Sequence, residues 1–298
     1  ENPEVTDTIS KLAIYWIKKF DLDGFRHDAT KHIPEVFWET LTKKLRYNFN
    51  KKSVYQIGET FGSRELIGNY VGTDKLDGQF DFNLYFDARN CFADSLCNMQ
   101  NIAESLIASL SYYGYHNLMG NITGNHDLIR FISYADKSVL PGEDDKEAGW
   151  NRDIIVKNET SYKKLTNLAA FTLSIPGVPC IYYGDEIGMP GVGDPDNRRM
   201  MNFDNLNNNE AKTLEIFKKL IEIRKHNIEF IYGTTKIIDT ESNTLILKRQ
   251  YFNNASYLII NQSEKETGIS INKNETGDIT SYTIHFGSEI NELNSNYQ

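Results

Sequence analysis

Helical and extended patterns alternate along the chain up to about residue 227. Apolar residues recur at helical spacing between Leu12 and Phe20, and a short apolar run over 22–28 follows them. Similar short runs lie at 54–59, 78–82, 119–123 and 177–184, and helical patterns lie at 34–49, 87–110, 162–174 and 209–226. The polar stretch 136–157 is predicted to be a loop. This alternation predicts repeated β–α units around a parallel sheet, an α/β fold.

The pattern changes beyond residue 229. Short β-rich runs at 235–239, 245–251, 257–261, 268–272 and 281–286 are separated by Asn, Gly, Ser and Glu. No helical pattern lies between them, which is typical of a small antiparallel β-sandwich. We therefore predict two domains, an α/β domain over 1–228 and a β-sandwich over 229–298.

Composition excludes several classes of function. The chain has 32 Lys and Arg against 41 Asp and Glu, a formal net charge of −9, which argues against nucleic acid as a partner. No apolar run approaches the roughly 20 residues of a membrane span, and the first ten residues lack the pattern of an export signal. Cys91, Cys97 and Cys180 are too few for a disulfide framework, so we interpret them as small buried hydrophobic residues.

Carboxylates stand where the predicted strands end. In a barrel or an open parallel sheet, ligands bind at the carboxyl ends of the strands. Asp28, Glu59 and Asp127 occupy three such ends, with His126 beside the last. A single Asp at a strand end is more often a helix cap or turn residue, but three convergent carboxylates favour a site.

Paired carboxylates are what the cleavage of a glycosidic bond requires, one ionised and one protonated. Arg26 lies two residues before Asp28, so both side chains are expected on the same face of a strand, where Arg26 would keep Asp28 ionised. Glu59 follows Gln-Ile-Gly, and a less polar setting there would keep it protonated near neutral pH. His27 should point to the opposite face and pack there.

Three segments resemble, in order and spacing, signature regions of the α-amylase family of retaining glycoside hydrolases. They are DGFRHDATKH at 23–32, GET at 58–60 and GNHD at 124–127. The segments GVPCIYYGDE at 177–186 and GDPDNRRM at 193–200 are similar to the family's last barrel strand and the loop beyond it. Five matches in the correct order make this resemblance specific.

The resemblance implies a role for each matching residue. Asp28 would be the nucleophile, and Glu59 the general acid that later activates water as a base. Asp127 would be a third carboxylate that holds sugar hydroxyls, with His126 bonding beside it. Arg26 would orient Asp28.

Lys31 and His32 match a pair that, in the family's true α-amylases, contacts the sugar on the leaving-group side and lies near a structural calcium. The alternative is a solvated basic pair that opens a helix. Asp194, Asp196 and Arg198 either bind sugar hydroxyls at the rim or lock their own loop. We assign no residue as a certain metal ligand.

The family's barrel has eight β–α units, and five are present here. The resemblance therefore implies a partial TIM (β/α)₈ barrel that lacks the first strands and the excursion that supplies most calcium ligands. The strand at 22–28 would have an open edge. We favour the interpretation that the chain is a piece of a longer protein, and the alternative is that a second chain or copy covers this edge.

The resemblance predicts cleavage of α-1,4 bonds in starch-like glucans by double displacement, with calcium as a structural cofactor and an α-glucan as partner. One alternative is a hydrolase of cyclodextrins or short maltooligosaccharides. Another is a catalytically silent carbohydrate-binding remnant. We expect a soluble protein, extracellular or periplasmic rather than cytoplasmic.

Overall fold

The chain divides into two compact units. The computed structural model describes residues 2–94, 97–115, 117–241, 243–261, 272–273 and 279–281. The first unit comprises Glu1–Ala88, Glu104–Asn125 and Pro176–Tyr182, and the second comprises Arg89–Ala103, His126–Ile175 and Tyr183–Gln298. The α-helices are α1 Pro3–Phe20, α2 Glu35–Asn48, α3 Arg64–Gly68, α4 Phe82–Ala93, α5 Met99–Tyr113, α6 Phe131–Ala135, α7 Asp145–Asn151, α8 Thr160–Ser174, α9 Asn208–His226 and α10 Ile228–Tyr232.

The first unit contains five parallel strands in chain order. They are β1 Gly24–His27, β2 Tyr55–Gly58, β3 Gly78–Gln79, β4 Gly120–Ile122 and β5 Val178–Cys180. β2 pairs with β1 and β3, β4 pairs with β5, and a parallel bridge between Phe80 and Gly120 connects the two groups. Among the described residues, β1 pairs on one side only. All five predicted strands are confirmed, each shorter than its apolar run, while the partial barrel stays a prediction.

Helix α1 begins and ends at residues suited to those positions. The Asn2 side chain accepts a hydrogen bond from the Glu4 amide, and Pro3 takes the first helical position, where no amide hydrogen is needed. The helix ends at Asp21, whose backbone is left-handed. Ile14 and Ile17 then pack against the buried side chains of α2, so the first two helices share one core.

The second unit contains helices and an antiparallel sheet. Helix α9 starts with a capping box, in which the Asn207 side chain accepts from the Glu210 amide and the Glu210 carboxylate accepts from the Asn207 amide. The antiparallel sheet is formed by β6 Thr234–Glu241, β7 Thr244–Tyr251 and β8 Asn254–Asn261, with β7 in the centre and its first six residues buried.

A short antiparallel pair follows, β9 Asn272–Lys273 with β10 Ile279–Ser281. The rest of the predicted strands at 268–272 and 281–286 lies outside the described residues. The β-sandwich and the boundary at residues 228 and 229 therefore stay predictions.

Two predicted elements are wrong in detail. The single helix expected over 87–110 is two helices, α4 and α5, and the Asn98 side chain accepts from the Gln100 amide where α5 begins. The loop expected over 136–157 contains helix α7. Its N-cap, Asp144, accepts from the amides of Lys146 and Glu147. A local cap thus starts a helix in a stretch whose apolar residues show no helical period.

The interpretation of all three cysteines as small buried hydrophobic residues is only partly right, because Cys91 is buried but is also paired. Cys91, near the end of α4, forms a disulfide with Cys97, just before α5. The break between the two helices brings these thiols together, and the sequence pattern does not show that break. Cys180 is exposed rather than buried.

Within the described ranges, none of the helices combines the length and the apolar character that crossing a bilayer requires.

Candidate active site

Arg26 contacts both candidate catalytic carboxylates of the first unit. It lies on β1, and its Nη1 donates a hydrogen bond to Oδ1 of Asp28, the residue that follows the strand. Its Nη2 lies 2.7 Å from Oε2 of Glu59. The expectation that Arg26 and Asp28 share one face is confirmed. The planar guanidinium uses two nitrogens to hold the two carboxylates on one side of the sheet edge.

Glu59 is held at the end of β2 by its backbone. Its amide donates to the His27 carbonyl at 2.9 Å and to Oγ1 of Thr30 at 3.0 Å, and its carbonyl accepts from the Thr30 amide at 2.9 Å. The side chain is only 9% exposed. The expected less polar setting is nevertheless wrong, because the buried carboxylate meets the guanidinium of Arg26. The position of Glu59 is therefore fixed both by the backbone and by an ion pair.

His27 points to the opposite face, as strand alternation predicts. Its ring lies 4.8 Å from the Trp38 ring, centroid to centroid, and its Nε2 lies 3.2 Å from Oε1 of Gln56. Burial lowers the pKa of His27 to about 4, despite the opposing hydrogen bond with Gln56. His27 is thus a packed, neutral histidine behind the carboxylates.

Lys31 and His32 lie in a short 3₁₀ helix, Thr30–His32, and both are exposed. The Lys31 ammonium donates to the carbonyl of Phe61 at 2.8 Å. This bond connects the turn after β1 to the loop after β2. Contact of the pair with a sugar stays a prediction.

Asp127 and His126 belong to the second unit, where Arg198 contacts them. Nη2 of Arg198 lies 3.2 Å from Oδ1 of Asp127, and its Nε lies 3.1 Å from the His126 carbonyl. The His126 ring approaches the same carboxylate, with Nε2 at 3.3 Å from Oδ2. Arg198 also pairs with Asp194 at 3.0 Å. Arg198, in the loop after β5, therefore contacts both Asp127 and Asp194.

Asn197 is a positioning residue that the sequence reasoning missed. Its buried Nδ2 donates to the carbonyls of His126 at 2.8 Å and Leu128 at 3.0 Å. Arg130, also buried, donates to the Asn197 carbonyl at 3.0 Å and pairs with Asp185 at 3.3 Å. A charged residue inside the apolar run Leu-Ile-Arg-Phe-Ile at 128–132 was the available signal.

The structure thus brings Arg26, Asp28 and Glu59 together, and separately Asp127, His126 and Arg198. The convergence of all three carboxylates on one rim stays a prediction. In the part of the chain that the structure describes, no group of three or more His, Cys, Asp or Glu side chains could hold a metal ion. Calcium as a structural cofactor stays a prediction.

Comparison with known proteins identifies the class. Residues 1–198 match the family model of the α-amylase catalytic domain. The chain therefore belongs to the α-amylase family of glycoside hydrolases, and it has that family's fold, whose catalytic domain is a TIM barrel.

Individual relatives carry more specific names. A cyclomaltodextrinase of Thermoanaerobacter pseudethanolicus is 28% identical over 285 residues, which cover 92% of this chain and 43% of that protein. A cyclomaltodextrin glucanotransferase of a Bacillus species is 30% identical over 302 residues, which cover 98% of this chain and 37% of that protein. The structure of an α-amylase from Geobacillus thermoleovorans, complexed with acarbose, superimposes with a TM-score of 0.77 at 26% identity, covering 95% of this chain and 61% of that one.

The chain spans less than half of the length of these two curated relatives.

Proposed function

We propose that this chain carries the nucleophile and the general acid of a retaining glycoside hydrolase that cleaves α-1,4-glucosidic bonds in starch-like glucans. The observation that carries the proposal is the contact of one guanidinium, that of Arg26, with both Asp28 and Glu59. A retaining mechanism needs two carboxyl groups about 5–5.5 Å apart, which face the same bond. One arginine that reaches both groups supports such a spacing.

The reaction proceeds by double displacement. Glu59 has to be protonated for this step, so its ion pair with Arg26 must open when the glucan binds. Asp28 then attacks the anomeric carbon while Glu59 gives its proton to the departing glycosidic oxygen, and a glycosyl ester forms on Asp28. Glu59, now ionised, removes a proton from water, which hydrolyses the ester with net retention of configuration. Arg26 orients Asp28 for attack. Asp127, held by Arg198 and His126, would bind sugar hydroxyls as the ring distorts.

Lys31 and His32 complete the proposed glucan site. Both are exposed, and the bond from Lys31 to the Phe61 carbonyl places the pair beside the loop that follows Glu59. We assign them contacts with the sugar on the leaving-group side. No step of this mechanism depends on calcium.

A preference for cyclodextrins or short maltooligosaccharides is the second candidate. Two relatives are named for cyclomaltodextrin chemistry, which favours it. The product sizes from starch, β-cyclodextrin and maltotriose separate the two candidates: an α-amylase activity degrades starch fastest, whereas a cyclomaltodextrinase activity opens the ring faster than it cuts starch.

Substitution of the two carboxylates tests the chemistry. Asp28→Asn and Glu59→Gln should each reduce maltotriose hydrolysis at least 10³-fold, because covalent and proton-transfer catalysis are both lost. Asp23→Asn is the matched control, since Asp23 precedes the same strand and is 96% exposed. It should retain wild-type rates.

A fluoride substrate distinguishes the two roles. Fluoride leaves from α-maltosyl fluoride without protonation, so Glu59→Gln should still form the ester on Asp28 and accumulate it as a mass increase of one maltosyl group. Asp28→Asn should show no such adduct. Normal turnover in either variant overturns the assignment, and glucan binding without hydrolysis by the wild-type chain identifies a silent remnant instead.

We further propose an extracellular or periplasmic location. The disulfide between Cys91 and Cys97 supports it, since disulfides persist in oxidising compartments. Within the described residues β1 pairs on one side only, which supports either the rest of a longer protein or a second chain or copy at that edge.

A further inference from the structure

Thr30, in the turn after β1, is fully buried, and the resemblance to the α-amylase family assigns it no role. Its hydroxyl oxygen accepts a hydrogen bond from the Glu59 amide at 3.0 Å and donates one to the His27 carbonyl at 3.3 Å. A hydroxyl has one hydrogen and two lone pairs, so it can donate and accept at the same time. The Thr30 side chain therefore connects the end of β1 to the first residue after β2.

The backbone of Thr30 is held as firmly as its side chain. Its amide donates to the Glu59 carbonyl at 2.9 Å, and its carbonyl accepts from Nε1 of Trp38, on α2, at 3.2 Å. The preceding residue, Ala29, has a left-handed backbone with φ 46°, which is uncommon for a residue with a side chain. The turn that follows Asp28 is thus bound both to the end of β2 and to the neighbouring helix.

Gly58 leaves the space that this hydroxyl occupies. A Cβ atom at residue 58 would lie 2.5 Å from Oγ1 of Thr30, which is closer than such atoms approach in folded proteins. A glycine at this position therefore lets the hydroxyl reach the backbone of the strand that leads to Glu59. Two local features, the hydroxyl at 30 and the missing side chain at 58, serve the same contact.

On the basis of the proposed function, we propose that the Thr30 hydroxyl positions the general acid, by holding the backbone of Glu59 at a fixed distance from the turn that carries Asp28. The Glu59 side chain has to leave Arg26 before it gives its proton, so the backbone is the part of this residue that must stay in place. A displacement of about 1 Å at a reacting group can reduce a rate about 10²-fold. Because Thr30 is buried, it acts through Glu59 and not by contact with the glucan.

Removal of the hydroxyl at nearly constant volume tests this role. Thr30→Val should lower kcat for maltotriose at least about tenfold and change KM less than about twofold, because the proton donor is displaced while the contacts with the sugar remain. Ester formation on Asp28 from α-maltosyl fluoride needs no proton from Glu59, so in a single turnover it should keep the wild-type rate. This ester also shows that the variant is folded around Asp28.

Two further variants separate the hydroxyl from the packing of the side chain. Thr30→Ser keeps the hydroxyl and should hydrolyse maltotriose within about threefold of the wild-type rate. Thr30→Ala removes the hydroxyl without placing a methyl group beside the polar atoms. It should show the same difference between the two substrates, and it replaces Thr30→Val if that variant does not fold.

Thr42→Val is the matched control. Thr42 is also buried, and its hydroxyl accepts from Nε2 of Gln56 at 2.9 Å and donates to the Lys75 carbonyl at 2.8 Å. Its replacement therefore removes two hydrogen bonds of a buried threonine from the same unit without touching Glu59. Both rates should stay at their wild-type values.

Failure of this role differs from failure of the proposed function. A wild type that neither hydrolyses maltotriose nor forms the ester contradicts the proposed function, and the role of Thr30 with it. With an active wild type, three results overturn the role of Thr30 alone: unaltered maltotriose hydrolysis in Thr30→Val, an equal loss with both substrates, or the same loss in Thr42→Val.

Discussion

At the scale of single residues, one guanidinium determines the geometry of the proposed active site. Arg26 contacts the exposed Asp28 on one side and the buried Glu59 on the other. The two carboxylates therefore depend on the same cation, and the energetic consequence differs between them. Exposed ion pairs contribute little to stability, whereas a buried carboxylate without a partner is destabilising.

Removal of Arg26 should reveal this difference. We expect Arg26→Leu to lower the free energy of unfolding by about 2 kcal/mol, since the guanidinium is partly exposed and the loss falls mostly on Glu59. Glu59→Gln in the same chain should recover most of that loss, because a neutral amide needs no cation. Urea unfolding of both single variants and the double variant measures the coupling. Additive losses would show that Glu59 does not depend on Arg26.

The half-buried His27 should make the protein sensitive to acid. Its pKa is about 4 in the folded chain against 6.5 for an unperturbed histidine, so between these values the unfolded chain binds more protons. The free energy of unfolding should therefore be highest above pH 6.5. It should fall by at most about 3 kcal/mol as the pH falls towards 4.

Urea unfolding at intervals from pH 7 to 4 checks this dependence. His27→Gln should flatten the slope, because glutamine does not titrate. An equal slope in wild type and His27→Gln would contradict the prediction.

At the scale of the elements, a disulfide joins two helices that the sequence pattern merges into one. The bond between Cys91 and Cys97 closes a short loop around the break between α4 and α5. For a loop of this size, the loss of entropy in the unfolded chain is worth about 2 kcal/mol.

Reduction of this disulfide should therefore destabilise the protein measurably. We expect dithiothreitol to lower the free energy of unfolding by about 2 kcal/mol in the wild type. The variant Cys91→Ser/Cys97→Ser should have the lower stability already and should not respond to the reductant. Cys180→Ser, which removes the exposed thiol only, should respond as the wild type does. Identical stability with and without reductant would show that the bond does not form.

At the scale of the whole molecule, two buried arginines connect β7 and α9 to the end of helix α8. Arg224 donates to the carbonyls of Leu173 and Ile175, and Arg249 donates to those of Ser174 and Gly233. Burial lowers the pKa of Arg249 to about 9, and the nearby Arg224 adds to this effect. The last carbonyls of α8, which have no partner within the helix, thus receive cationic donors.

Loss of Arg249 should destabilise this packing. Arg249→Met leaves two carbonyls without their charged donor, and we expect a loss of about 3 kcal/mol in the free energy of unfolding. Arg46→Met, at an exposed position of α2, is the control and should change stability by less than about 0.5 kcal/mol. If Arg249→Met changed the free energy of unfolding only slightly, removal of the buried charge would stabilise the fold about as much as loss of its hydrogen bonds destabilises it.

A feature could be predicted when the residues that form it lie close together in the sequence, and could not when they lie far apart. The five parallel strands and helix α9 were predictable, because their apolar periods and the Asn207 cap are local. The shared face of Arg26 and Asp28 was also predictable from strand alternation. The contact of Arg26 with Glu59, 33 residues away in the sequence, was not, because it depends on the register of β1 against β2.

The sequence by itself determined the family, the positions of the five parallel strands and the residue types available for catalysis, since motifs and periods are properties of neighbouring residues. Only the tertiary structure decided which charges meet. In the structure Glu59 forms an ion pair with Arg26 and does not lie in an apolar pocket. Asp127 forms an ion pair with Arg198, and Cys91 forms a disulfide with Cys97. These contacts join residues that the chain path separates, and they form only when strand register and helix breaks bring the side chains within a few ångströms.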